Sequence, residues 1–116
     1  MTRCKITVIK KTINPELAEE YCRNDVTPCP CFEIGQEFVC GLSKPGNFCD
    51  WAWRDIHPMV AVQLTGGNFS RGVFEGWMKD DRTMIGCCTD GVRPVIFRIE
   101  RIEDGSPPFP GGNQAR

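Results

Sequence analysis

The first patterned stretch of the chain, Lys5-Ile6-Thr7-Val8-Ile9-Lys10-Lys11, is rich in β-branched residues that fit a pleated surface, which predicts a strand. Asn14 to Cys22 predicts a short helix. Asn14 is a capping residue type, Pro15 suits the first helical position, and Glu16 favours the positive end of the helix dipole. Asp25 to Cys31 (DVTPCPC) carries two prolines, which remove backbone donors, so it reads as a stiff loop bearing two cysteines. Glu33 to Cys40 predicts a turn at Gly35 and then a second strand. Further on, Ala52, Ile56, Val60 and Leu64 recur at i, i+4 spacing and mark one apolar stripe of a helix over Asp50 to Leu64. Pro58 lies inside that stripe and predicts a helix that is kinked or begins again there; Gly66-Gly67 ends it. Thr83 to Cys87 and Pro94 to Ile102 predict two more strands, joined through the turn signal Thr89-Asp90-Gly91.

These elements predict an α+β fold: a small mixed sheet of about four strands, one short N-terminal helix and one kinked central helix. The length of 116 residues allows one domain with one core, placed at residues 1–103. From Asp104 the sequence DGSPPFPGGNQAR is poor in apolar residues and rich in proline and glycine, which predicts a flexible tail over 104–116. The alternative for that tail is an arm whose Phe109 docks on another subunit.

Charge narrows the partners. With 14 basic against 15 acidic residues there is no cationic excess to displace counterions from a phosphate backbone, so nucleic acid is not expected. No stretch approaches the roughly 18 apolar residues of a membrane span. The eight cysteines then raise the question of compartment. The N-terminus offers only Ile6 to Ile9 before two lysines, short of the roughly 7–15 apolar residues of a signal-peptide core. Met1 reads as a native start, so the expectation is a cytoplasmic protein with reduced thiols rather than disulfides.

Five of the cysteines sit at loop or element ends: Cys29-Pro30-Cys31 in the stiff loop, Cys49 at the start of the central helix, and Cys87-Cys88 where a strand gives way to a turn. The arrangement resembles a family of small uncharacterised prokaryotic proteins, many from anaerobes. The elements that carry the likeness are Cys29-Pro30-Cys31, Gly35-Gln36-Glu37-Phe38, Gly46-Asn47-Phe48-Cys49-Asp50-Trp51-Ala52-Trp53, Asp55-Ile56-His57-Pro58 and the late cysteine before Arg93-Pro94-Val95-Ile96-Phe97. It covers roughly residues 3–102. Gly46 to Cys49 has one residue more than the family's Gly-x-Cys helix start. The resemblance implies one compact domain, singles out three cysteine positions, and favours iron–sulfur over zinc.

Three kinds of chemistry compete for these residues. Thiolates are soft ligands for zinc or cluster iron, which makes Cys29, Cys31, Cys49 and Cys88 the candidate metal ligands. Neighbours on a strand face opposite ways, so only one of the pair 87–88 joins, and Cys87 is the substitute for Cys88. His57 is an optional fourth donor. Neither a paired C-x-x-C nor a ferredoxin-type run is present, and the plain alternative is that the cysteines are reduced packing residues. The second chemistry is nucleophilic: Cys49 at a helix N-terminus is the candidate thiol, the dipole favouring its thiolate. The third is an organic pocket bordered by Trp51, Trp53 and Arg54, within an aromatic set that also includes Phe48, Phe69, Phe74 and Trp77. Core packing is the bland reading of the same aromatics. The leading expectation is a small cysteine-ligated metal or iron–sulfur protein, an accessory subunit or carrier in anaerobic metabolism, with a protein partner or a second copy of itself. A thiol-dependent enzyme or substrate-binding subunit stands second, and a structural partner of a larger catalytic chain third.

Overall fold

The computed structural model describes residues 1–103; the expected tail lies outside the described residues. Strand β1 runs over Thr2–Lys11, helix α1 over Pro15–Tyr21, β2 over Glu37–Cys40, α2 over Asp50–Leu64, β3 over Thr83–Cys87 and β4 over Val95–Glu103. A single 3-10 turn stands at Gly72–Phe74. The four strands form one sheet in the order β2-β1-β4-β3. The α+β class is as expected, but every pairing is antiparallel, so the sheet is not mixed. The physical reason lies in the loops. Residues 22–36 reverse the chain so that β2 enters beside the end of β1, and the 88–94 turn folds β4 directly back on β3.

Alternation along the strands sorts the side chains into two faces. Cys4, Ile6 and Val8 of β1, Phe38 and Cys40 of β2, Met84 of β3, and Val95, Phe97 and Ile99 of β4 are buried on one face. That face takes the stripe of α2, whose Ala52, Ile56 and Val60 are at most 1% exposed. Gly86 of β3 permits the closest approach: a Cβ there would stand 2.6 Å from Met59 Sδ. Between Val8 and Lys10 the β1–β4 register slips by one residue, leaving Ile9 as a bulge turned outward. At the other end of the stripe Gln63 is fully buried, and Arg101 Nη1 donates to its Oε1 at 3.4 Å.

Helix α2 is continuous through Pro58, in place of an expected restart. Asn14 does precede α1 as its cap residue, but its side chain makes no cap bond; Nδ2 donates instead to the Gly91 carbonyl at 2.6 Å. No helix among the described residues is long and apolar enough to cross a membrane.

Candidate functional site

Phe32 explains how the cysteine loop meets the rest of the molecule. Its ring is 2% exposed and meets Phe48 and Phe97 with centroids 5.1 Å away, and Phe38 at 6.0 Å. The next residue back is Cys31. Burying Phe32 therefore draws Cys29-Pro30-Cys31 onto the end of the sheet, and Lys11 Nζ secures the loop by donating to the Phe32 carbonyl at 2.7 Å. Phe48 does the same for the start of α2: its ring is 3% exposed, and Cys49 follows as the cap residue of the helix. Cys88 arrives from the third direction. It leaves β3 just after Cys87, and its amide donates to the Val95 carbonyl at 3.2 Å.

These three arrivals leave a cleft of about 520 Å³ lined by Cys29, Cys31, Cys49 and Cys88, with Phe32, Trp51, Ala52 and Val95 as apolar walls and residues 89–91 and Arg93 at its rim. All four cysteines proposed as ligands from the sequence thus face one space. Cys87 does not: it lies on the opposite face of β3 and is exposed, as strand alternation requires. All eight cysteines are free thiols. Among the described residues no three His, Cys, Asp or Glu side chains stand close enough to hold one metal ion as they are, so ligation here would need the thiols to turn inward about their side-chain torsions.

The thiols are in electrostatic contact. Cys31 is raised from its ordinary pKa, first by a hydrogen bond with Cys29, then by partial desolvation and by the charges of Cys29 and Cys49, while Arg93 acts in the opposite direction. Val95 N–H donates to Cys88 Sγ at 3.4 Å. Cys4 and Cys40, cross-strand partners on β1 and β2, differ in kind: burial pushes them up to about 12 and about 11. They are core thiols.

The rim is held by a polar network. Asp55 Oδ2 accepts from Thr89 N–H at 2.8 Å and from Thr89 Oγ1 at 2.9 Å, and Trp51 Nε1 donates to Thr89 Oγ1 at 2.8 Å. Asp90 Oδ1 accepts from the amides of Val92 and Arg93, which, with the Arg93 side chain, holds its carboxyl below the usual carboxylate range. Arg93 meets Asp90 through Nε at 3.4 Å.

The other candidates separate. Trp51 lines the cleft, with the Arg54 guanidinium 5.1 Å from its ring centroid, but Arg54 itself is outside the lining. Trp53 is not a pocket residue either; it packs edge-on against Phe48 and tilts over His57. His57 is absent from the lining, with Nε2 3.0 Å from the Leu42 carbonyl oxygen. Phe69, Phe74 and Trp77 form a cluster of their own, so the expected single aromatic pocket divides into core, cleft wall and this separate group. Helical period alone could not separate them, since Trp51, Trp53 and Arg54 all follow one cap residue. Sequence reasoning missed Phe32, Thr89 and Arg93 as parts of the site; the run Cys31-Phe32 and the turn signal 89–91 were the available hints. No family model, no curated protein and no solved structure matches this chain.

Proposed function

We propose that this protein is a small cysteine-ligated metal or iron–sulfur protein of the cytoplasm, working as an accessory subunit or carrier beside a protein partner. One observation carries the reading: four half-exposed or exposed thiols from three distant chain segments line a single cleft, while the fifth nearby cysteine points away. Soft ligands grouped at element ends, on a loop stiffened by prolines, suit a thiophilic centre better than they suit packing. Packing is the role of Cys4 and Cys40, which are buried against each other in the core.

The test is anaerobic purification of the full chain, with metal, iron and sulfide measured per protein. The expected result is stoichiometric metal in the wild type and in Cys87→Ser, and its loss in Cys31→Ser. Metal-free protein that also fails to take up zinc, or iron with sulfide, overturns the reading. A second reading has support in the Trp51 wall and in Cys49 at the N-terminal cap of α2: a thiol-dependent binding pocket for an organic molecule. It expects metal-free protein in which Cys49 is alkylated faster than the other thiols at neutral pH.

A further inference from the structure

Both ends of the loop that carries Phe69, Phe74 and Trp77 are tied to one residue of β4. Arg101 Nη1 donates to the Gly67 carbonyl at 2.9 Å, and the Arg101 amide donates to the Arg82 carbonyl at 2.8 Å. The three rings between those ties pack with centroids 5.2, 5.5 and 6.0 Å apart. Phe69 is buried, but Trp77 is 52% exposed, and Val73, beside Phe74 in the 3-10 turn, is 94% exposed. Neighbouring apolar side chains open to solvent form a patch, which marks a surface that something covers.

Topology brings one segment of the chain to this patch. Strands β3 and β4 are antiparallel, with Thr83 opposite Glu100, so the chain beyond Arg101 runs past the start of β3, where the aromatic loop enters. β4 ends there at Glu103, at the opposite end of the strand from the cysteine cleft. Residues 104–116, outside the described residues, therefore start beside the loop. They contain Pro107-Pro108-Phe109-Pro110, a Pro-x-x-Pro spacing. Such segments dock on aromatic surfaces because the polyproline conformation is preset and little freedom is lost on binding. At roughly 3.3 Å per extended residue, Pro107 reaches up to about 13 Å from Glu103 and Pro110 up to about 23 Å. A tether this short gives an effective concentration on the order of mM, which favours the chain's own patch over that of a second copy.

We propose that Pro107-Pro108-Phe109-Pro110 folds back in cis on the face of Phe74 and Trp77 as a strap, this surface being a site for proline-rich segments that the chain itself fills. The contact is non-covalent and involves no thiol, so it stands apart from the metal reading.

The test uses the full-length chain carrying 5-fluorotryptophan, with the Trp77 fluorine signal identified through Trp77→Phe. In Phe109→Ala that signal should move and its shift between H2O and D2O should grow, while the signals of Trp51 and Trp53 stay in place. A synthetic peptide of residues 105–111 should then return the Trp77 signal towards its wild-type position. A strap seated about four-fifths of the time makes the wild type bind that peptide about fivefold more weakly than Phe109→Ala does. A Trp77 signal unmoved by Phe109→Ala, or a peptide that binds both chains equally or neither, overturns the strap. A Trp77 shift seen only at concentrations where the chain sediments as a dimer also overturns it, since the segment then covers a second copy. Metal-free protein would remove the metal reading and leave every one of these outcomes as it stands.

Discussion

Phe32 joins the core to the cleft, so its truncation should damage both, in a graded way. The ring is 2% exposed and edge-packed on three other phenylalanines. Replacing a buried Phe by Ala costs about 3–5 kcal/mol, the sum of lost transfer energy and the void left behind. Domains of this size hold only about 5–15 kcal/mol in all, so Phe32→Ala should be barely folded. Phe32→Leu retains most of the volume and loses chiefly the ring edges, at about 0.5–1.5 kcal/mol for each aromatic pair, partly regained by the new aliphatic contacts. A net cost of about 2 kcal/mol should lower the melting temperature by roughly 8–16 °C. Urea unfolding followed by tryptophan fluorescence measures the stability. Iodoacetamide labelling with mass mapping, at a temperature where the variant is fully folded, measures the loop. Cys29 and Cys31 should label faster in Phe32→Leu, while Cys87 labels at the wild-type rate. An unchanged melting temperature in Phe32→Ala, or unchanged labelling of Cys29 and Cys31 in Phe32→Leu, would refute the claim that this ring anchors the cysteine loop.

Three other perturbations follow from the same contacts. Asp55→Ala removes two hydrogen bonds to Thr89 from a half-buried carboxylate and should cost about 2 kcal/mol; Trp51, bonded to the same hydroxyl, should report the loosened turn by a shift in its emission, and an unshifted spectrum with unchanged stability would speak against the lock. Alkaline pH acts through Cys4 and Cys40, raised from 9.0 to about 12 and about 11 chiefly by burial. Folded and unfolded chains both hold these protons below pH 9, so their contribution is whole there; above it the unfolded chain releases them first and stability falls towards pH 12, at up to about 1.4 kcal/mol per pH unit for each thiol. Urea midpoints compared at roughly pH 8 and pH 10 should fall less steeply in Cys40→Ala than in wild type, and equal slopes would rule the mechanism out. Gly86→Ala places a Cβ 2.6 Å from Met59 Sδ and 3.5 Å from Ile56 Cγ2; because the thioether can move, the cost should be about 1–2 kcal/mol by thermal melting, with Gly86→Val clearly worse.

Elements with a strong local signal were legible in the sequence. The α2 stripe needs only the spacing of Ala52, Ile56 and Val60, and the loop over 25–31 needs only its prolines. Alternation also required that only one of Cys87 and Cys88 face the cleft, because side-chain direction in a strand is a local property, but which of the two does so, Cys88, came from the structure. What local signals do not carry is strand direction and partner. Cys4 meets Cys40 on one side and Arg101 on the other, at sequence separations of 36 and 97, and no periodicity encodes that. The unbroken run of α2 through Pro58 has a related cause. The proline's missing donor removes one bond, but tertiary packing of Ala52, Ile56 and Val60 against the sheet holds the helix on both sides of it. The buried Gln63 was hidden too, since its acceptance of the Arg101 side chain depends on a strand 38 residues away.

Position in the fold, rather than the number of cysteines, separates the inert thiols from the available ones. Cys4 and Cys40 are buried side by side on the core face of β1 and β2, and burial keeps them protonated. Cys29, Cys31, Cys49 and Cys88 lie where β3 ends, β4 begins and α2 starts, so backbone amides, Arg93 and solvent are all within their surroundings. The same clamps that shape this end, Lys11 on the Phe32 carbonyl and Asp55 on Thr89, run from the sheet and the helix to the cleft. A ligand held by the loop, the cap and their neighbours would therefore bind only the folded chain. Linkage then makes occupancy a stability signal of about 2.7 kcal/mol when free ligand is at roughly 100 times its dissociation constant. For a domain of this size that is roughly 10–20 °C in melting temperature. A metal that bound the thiols in the unfolded chain equally well would give no such shift, so thermal melting with and without metal distinguishes a built site from a chance collection of cysteines.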